Sequence, residues 1–158
     1  MEAFDSYTKQ FDMTNRITVL KYNHSYRVSK LSNMLASNLN LNKQDLELAT
    51  LIGLIHDIGR FEQIKKFDTL SDIGTMDHAD FGAYLLFDEG LITKFTKDTS
   101  VYPIIGECVA GHNKYSLKKL DDERTLTQLK LIRDADKIDI FKVNIDTPVE
   151  EIYNVTTK

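Results

Sequence analysis

Hydrophobic and polar positions follow one another along this chain in steps of three and four residues, which is the periodicity of α-helices rather than of strands. The clearest stretch begins near Thr14 and Asn15, either of which can cap a helix. Its apolar face carries six positions at helical spacing, Ile17, Leu20, His24, Val28, Leu31 and Leu35. One of the six is a histidine, so a face that should pack against the core contains a polar side chain.

A second helix is predicted from Asn42, which stands with Asp45 in the relation of a capping box. Its interior, residues 46–55, is largely apolar on every side, which is typical of a central helix surrounded by neighbours. The pattern ends at His56-Asp57-Ile58-Gly59, and Gly59 is predicted to end the helix in the left-handed conformation.

Residues 60–76 are rich in Asp, Thr, Ser and Gly, and they predict a loop or broken segment. Three further helices are predicted over residues 77–87, 98–111 and 122–141. Near the N-terminus, aromatic residues at helical spacing indicate a helix that packs on the core: Phe4, Tyr7 and Phe11. The pattern therefore predicts an all-α fold, organised as a single domain over residues 1–158.

The last predicted element is a helix start at Thr147-Pro148-Val149-Glu150, with a capping Thr and a Pro at the first helical position. The sequence ends within the next few residues, which makes such a helix marginal by itself. We expect either that the natural protein is longer, or that a short helix docks on the rest of the domain.

Composition narrows the functional classes. Hydrophobic residues make up 42% and charged residues 28% of the chain, with only 7 Gly and 2 Pro, which excludes disordered and collagen-like proteins. With 20 Lys and Arg against 24 Asp and Glu, the net charge is −4. The chain therefore lacks the basic field that a general nucleic-acid binder or a binder of acidic membranes needs.

Cysteine usage and hydropathy bear on the compartment. Cys108 is the only cysteine, so the chain is neither a disulfide scaffold nor a cysteine-based zinc module. Charged residues interrupt the N-terminal segment where a signal peptide would be apolar. The longest nearly apolar run, residues 48–55, is far shorter than the ~20 residues that span a bilayer. These features favour a cytoplasmic protein without a membrane segment.

Polar side chains that can bind a metal interrupt three of the predicted apolar faces. They are His24 in the first long helix, His56 with Asp57 at the end of the second, and Asp136 in the last. Singly, a histidine in such a place is more often a hydrogen-bonded core residue, and Asp136 has basic neighbours as alternative partners. Because a buried unpaired carboxylate costs several kcal/mol, the joint pattern favours a metal. Two imidazoles and two carboxylates suit Fe, Mn, Ni, Co or Zn.

The order His24, His56-Asp57, Asp136 resembles the HD domain superfamily of metal-dependent phosphohydrolases, which are all-helical and named for the adjacent His-Asp pair. The resemblance extends to the surrounding motifs at residues 24–28, 54–60 and 132–137, and it covers about residues 20–142. An isolated His-Asp dipeptide has no diagnostic value, whereas the ordered set in matching helical contexts is specific.

The two remaining histidines, His78 and His112, resemble the extra ligands of binuclear HD proteins, although either can also be a histidine without a role. The resemblance implies one or two divalent metal ions, drawn from Mn, Fe, Co, Ni, Zn or Mg. The first would take His24, His56, Asp57 and Asp136, and the second would take Asp57 as a bridge with His78 and His112. The chain lacks the Gly-Tyr-Pro motif of the HD-GYP cyclic-dinucleotide phosphodiesterases.

The resemblance implies hydrolysis of a phosphomonoester or phosphodiester of a nucleotide or small metabolite, because divalent metals activate water and stabilise a phosphoryl group. The expected partner is a small phosphorylated substrate. Catalytic roles are implied for Asp57, as the bridging ligand, and for Arg60. Candidate phosphate-binding residues are Arg60, Arg27 and Lys114, each of which has a surface ion pair as the alternative interpretation.

Two other functions stay open at this stage. Some HD-fold proteins with the same six ligands use a di-iron centre to activate oxygen, as the inositol and phosphonate oxygenases do. Others are non-catalytic sensor modules, but those have usually lost the His-Asp pair that this chain retains as His56-Asp57. A requirement for iron, together with oxygen uptake, would distinguish an oxygenase from a hydrolase.

Overall fold

The structure is a computed structural model that describes residues 1–146, Pro148 and Ile152. Its α-helices are α1 (Glu2–Thr8), α2 (Arg16–Asn38), α3 (Lys43–Ile55), α4 (Ile58–Phe67), α5 (His78–Phe87), α6 (Tyr102–Gly111) and α7 (Glu123–Asp146). Two short 3-10 helices, Leu91–Lys94 and Thr99–Val101, lie between α5 and α6. No strand occurs among the described residues, and the all-α prediction is confirmed.

Helix starts follow the capping signals of the sequence. The Asn15 side chain accepts hydrogen bonds from the backbone N–H groups of Ile17 and Thr18 at the start of α2. The Asn42 side chain accepts from the N–H group of Asp45 at the start of α3. The last helix, α7, continues beyond the predicted end at residue 141, and the predicted helix over 98–111 is divided into a 3-10 turn and α6. The predicted helix start at residues 147–150 lies outside the described residues, apart from Pro148.

The prediction of a loop over residues 60–76 is wrong for its first half, because α4 occupies Ile58–Phe67. The helix forms because its apolar positions, Phe61 and Ile64, lie three residues apart and are both buried in the core. The prediction that Gly59 ends the second helix in the left-handed conformation is also wrong. That helix, α3, ends at Ile55 and is followed by His56 in the right-handed conformation, whereas Asp68 at the end of α4 is left-handed, with a φ of 50°.

Gly59 has a different role, at the contact between α4 and α5. A Cβ atom built on Gly59 would lie 2.3 Å from the carbonyl oxygen of His78 and 2.8 Å from the backbone nitrogen of Gly82. Only a residue without a side chain permits this approach of two backbones. The approach places the first turn of α5 beside the junction of α3 and α4.

The helices pack around one main core. Helix α2 contacts α3 and α7, whereas α4 contacts α5, α5 contacts α6, and α6 contacts α7. The N-terminal helix α1 packs on α4 through the ring of Phe4, whose centroid lies 5.8 Å from that of Phe61 in an edge-to-face arrangement. Phe11 lies beyond the end of α1 and also packs on Phe61. None of the described helices has the length and the apolar character needed to cross a membrane.

Candidate metal centre

The six predicted ligands come together in the interior, where α2, α5, α6, α7 and the junction of α3 and α4 meet. His56 directly follows α3, Asp57 directly precedes α4, and His112 directly follows α6. All six side chains are buried: His24, His56, Asp57, His78, His112 and Asp136. Asp57 precedes a helix but caps it with no side-chain hydrogen bond, so its carboxylate is directed to the cluster.

One group of ligand atoms surrounds the Oδ2 atom of Asp57. The Nε2 atoms of His24 and His56 each lie 3.5 Å from this oxygen. Asp136 Oδ1 lies 3.1 Å from His24 Nε2 and 3.5 Å from His56 Nε2. Two imidazole nitrogens and two carboxylate oxygens therefore converge from three parts of the chain.

A second group surrounds the other oxygen of the same carboxylate. Asp57 Oδ1 lies 3.3 Å from His78 Nε2 and 3.5 Å from His112 Nε2. The two Nε2 atoms lie 3.1 Å from each other. Asp57 thus presents one oxygen to each group, which is the arrangement of a bridging carboxylate.

The four imidazoles are oriented by their outer nitrogens. His56 Nδ1 and His112 Nδ1 lie 2.9 Å and 2.7 Å from the backbone oxygens of Gly53 and Val109. The Nδ1 atoms of the other two rings each lie 2.7 Å from a carboxylate: His24 from Asp139 and His78 from Asp72. Because an oxygen acceptor at Nδ1 retains the ring proton there, the inward Nε2 of each ring carries a free lone pair.

The surroundings of the inward-facing imidazole nitrogens favour a bound metal ion. Among the described residues, His24 Nε2 and His56 Nε2 are buried without a hydrogen-bond partner. Each faces carboxylate oxygens at 3.1 to 3.5 Å. A lone pair facing an anionic oxygen is repulsive, and a cation between them removes the repulsion. The nitrogen and oxygen donors suit first-row divalent metals such as Mn, Fe, Co, Ni and Zn.

The charge states also favour metal binding. Burial alone would raise the pKa of Asp57, but the ammonium group of Lys21 holds it well below its usual range. Burial lowers the pKa of His78, which favours the neutral imidazole. Ionised carboxylates and neutral imidazoles are the forms that coordinate metals.

Sequence reasoning missed three residues that contact the cluster. Lys21 Nζ lies 2.5 Å from Asp57 Oδ2. Asp139 accepts hydrogen bonds from His24 Nδ1 and Arg27 Nε. These hydrogen bonds outweigh the effect of burial and lower the pKa of Asp139 to about 2. Lys21 lies three positions before His24, and Asp139 lies three positions after Asp136 on the same helix face. Helical spacing could therefore have identified both residues. Asp72 lies in an irregular segment, where periodicity gives no signal.

The irregular segment before α5 is held by Gln63, which is fully buried. Its Nε2 donates to the backbone oxygens of Ser71 and Met76 and to Asp72 Oδ1. These contacts place Asp72 against the outer nitrogen of His78. A buried glutamine in α4 thereby positions one of the candidate ligands through a carboxylate.

The three predicted phosphate-binding residues lie in ion pairs. Arg27 Nε donates to Asp139 Oδ1 at 2.7 Å, and Lys114 Nζ lies 2.8 Å from Asp77 and 2.9 Å from Asp80.

Arg60 lies closest to the cluster of these three. Its Nη1 donates to Asp72 Oδ1 at 2.7 Å. Its Nε lies 3.8 Å from Asp57 Oδ1 and is buried without a hydrogen-bond partner in the described part of the chain. Arg60 therefore retains a donor directed at the candidate ligands.

In the comparison with family models, residues 22–140 match the HD domain. The chain belongs to the HD domain family. The matched segment includes all six candidate ligands, and the adjacent pair that names the family is His56-Asp57. HD domains are helical, and most members are metal-dependent phosphohydrolases. No curated protein and no solved structure matched the chain.

We expect Asp72→Asn to weaken metal binding at the His78 side of the HD centre by about 10- to 100-fold, because the carboxylate that orients His78 loses its charge. Calorimetric titration with Mn²⁺ measures the affinity of each site. The matched control is Asp80→Asn, an exposed carboxylate on α5 that contacts Lys114 and, within the described part of the chain, none of the candidate metal ligands. Unchanged affinities in Asp72→Asn would contradict this role.

Proposed function

We propose that this HD protein is a phosphohydrolase that cleaves a phosphomonoester or phosphodiester of a nucleotide or small metabolite with a metal-activated water. The supporting observation is the position of Asp57, whose two oxygens face two separate groups of imidazole nitrogens. Divalent metals bound by such donors supply an activated water and neutralise the charge of the phosphoryl group.

The remaining groups of the cluster support this proposal through their charge. Lys21 and Arg60 each bring a cationic side chain to Asp57, although the chain as a whole carries a net charge of −4. Cations at a buried site attract a phosphate locally, whatever the net charge of the protein. Asp57 and Arg60 are therefore proposed as catalytic residues, and Lys21 joins them as a neighbour of the reacting phosphoryl group.

Covalent catalysis by cysteine is not supported. Cys108 is fully buried in the core, and burial raises the pKa of its thiol. A buried protonated thiol is a poor nucleophile. The proposal therefore assigns the attack on phosphorus to water.

The test combines a metal count with hydrolysis of generic esters. We expect about two metal ions per chain by elemental analysis after incubation with Mn²⁺, and hydrolysis of p-nitrophenyl phosphate or its diester that stops with a chelator. His112→Ala should lower the count to about one, whereas the neighbouring Asn113→Ala should leave it at two.

Three outcomes would argue against parts of the proposal. Absence of bound metal together with absence of hydrolysis under Mn²⁺, Co²⁺ and Ni²⁺ would contradict it entirely. An unchanged metal count in His112→Ala would confine the centre to His24, His56, Asp57 and Asp136. Activity that requires iron and consumes oxygen would replace the hydrolase by an oxygenase.

A further inference from the structure

A cavity of about 90 Å³ lies beside the candidate metal centre, between α2, α4 and the C-terminal part of α7. Its polar lining residues are Lys21, His24, Arg60 and Asn144. The cavity therefore adjoins one candidate metal ligand and both cationic side chains that reach Asp57.

The remaining lining residues are aliphatic. They are Leu20 from α2, Leu70 from the segment after α4, Ile140 and Val143 from α7, and Ile152. The described lining residues include no aromatic side chain that could stack on a nucleobase. Since one water needs roughly 10–15 Å³ of such space, the cavity has room for several waters or a short aliphatic chain.

Lys21 connects the cavity to the centre. Its side chain lines the cavity, and its Nζ lies 2.5 Å from Asp57 Oδ2, the oxygen that His24 and His56 also face. Lys21 precedes His24 by three residues on α2, so one helix face carries both the cation and the ligand. A phosphoryl group at the centre would therefore meet Lys21 on the side where the cavity begins.

We infer that this cavity receives the organic group of a small aliphatic phosphomonoester, while Lys21 and Arg60 bind its dianionic phosphoryl group. This inference rests on the proposed function and specifies its substrate class. Two cations suit the dianion of a monoester better than the single charge of a diester. In the reaction, the phosphorus–oxygen bond to the organic group breaks, a bond to the water oxygen forms, and the leaving oxygen takes a proton that originates from the water.

The test uses alkylphosphonates, which are non-hydrolysable analogues of alkyl phosphates, and calorimetry on the Mn²⁺-loaded protein. Because each buried methylene improves affinity about fourfold, propylphosphonate, with two more methylenes, should bind roughly 15-fold tighter than methylphosphonate. In hydrolysis assays, kcat/KM for propyl phosphate should exceed that for adenosine monophosphate.

Two variants distinguish the contribution of the cavity to phosphonate binding from that of the cationic side chains. Val143→Phe fills the cavity, so the preference for propyl over methyl should disappear, whereas the metal content stays as in the wild type. Ile145→Phe, at a position that is 84% exposed on the same helix, is the matched control and should retain the preference. Lys21→Met should weaken both phosphonates by about tenfold or more and leave their ratio unchanged.

The outcomes distinguish this inference from the proposed function. If both phosphonates bind the wild type equally, or if adenosine monophosphate is the better substrate, the cavity assignment is overturned and the hydrolase proposal stands. If neither phosphonate binds the metal-loaded protein and no ester is hydrolysed, both proposals fail. The wild-type comparison alone decides the cavity assignment, should Val143→Phe fail to fold.

Discussion

Asp57→Asn is expected to remove most metal from the protein and to lower the rate of phosphate-ester hydrolysis by at least about a thousandfold, which corresponds to ~4 kcal/mol of transition-state stabilisation. The physical reason is that the two oxygens of the Asp57 carboxylate face two different groups of imidazoles. An amide of the same shape has one oxygen and one NH₂ group. Whichever way it is oriented, one of the two groups has an NH₂ group in place of an oxygen, which offers a metal no lone pair, and the negative charge is lost from both.

Thermal unfolding gives a measurement of this effect that does not depend on activity. A metal that binds only the folded protein stabilises it by about 2.7 kcal/mol for each site at a concentration of 100 times Kd. We expect Mn²⁺ to raise the Tm of the wild type clearly and that of Asp57→Asn little. The matched control is Asp134→Asn, an exposed carboxylate in the same family motif as Asp136, which should behave as the wild type.

The result for Asp57→Asn must be compared with the metal-free proteins. Asp57 is buried and paired with Lys21, so its neutralisation leaves a lysine that is 12% exposed without its partner. Circular dichroism of the metal-free variant shows whether the helices are retained. A folded variant that still binds two metals and hydrolyses esters at the wild-type rate would refute the bridging role.

Much of the candidate centre could be predicted from sequence because its ligands lie in regular helices or at their ends. His24 and Asp136 interrupt apolar faces, and a polar residue on such a face is conspicuous when the periodicity is clear. The same reasoning could also have identified Lys21 and Asp139, which it missed although they share these faces.

The partners of the cationic side chains could not be predicted in this way. Arg27 is paired with Asp139, which is far away in the sequence and reaches it only because α2 and α7 pack together. The Lys114 contacts with Asp77 and Asp80 similarly depend on how α5 and the segment after α6 meet. Ion pairs between distant elements follow from tertiary packing, which local periodicity does not encode.

The loop prediction over residues 60–76 is wrong for its first half because of a misleading local signal. The segment follows Gly59 and contains many polar residues, a composition typical of turns. The buried pair Phe61 and Ile64 nevertheless gives it one apolar face, and packing against the rings of α1 stabilises a helix there. Tertiary contacts override weak local preference in such a case.

Gly59→Ala is expected to destabilise the protein by about 2–4 kcal/mol, which is large for the addition of one methyl group. The added Cβ would lie 2.3 Å from the His78 carbonyl oxygen and 2.8 Å from the Gly82 nitrogen, and both are backbone atoms of a packed helix. The two helices can separate only by moving the first turn of α5, which carries His78. The variant should therefore also bind less metal on the His78 side of the centre than on the His24 side.

Gly106→Ala is the matched control, because it too places a methyl group within a helix of the core. Its nearest neighbour would be Phe87 Cε2 at 3.3 Å, in a side chain that can shift. Since alanine favours helix by up to about 1 kcal/mol over glycine, we expect a change within about 1 kcal/mol of the wild type. Urea unfolding of the metal-free proteins measures both variants. Equal stability of Gly59→Ala and Gly106→Ala would mean that α4 and α5 can separate at little cost, and that the close backbone contact does not fix the position of His78.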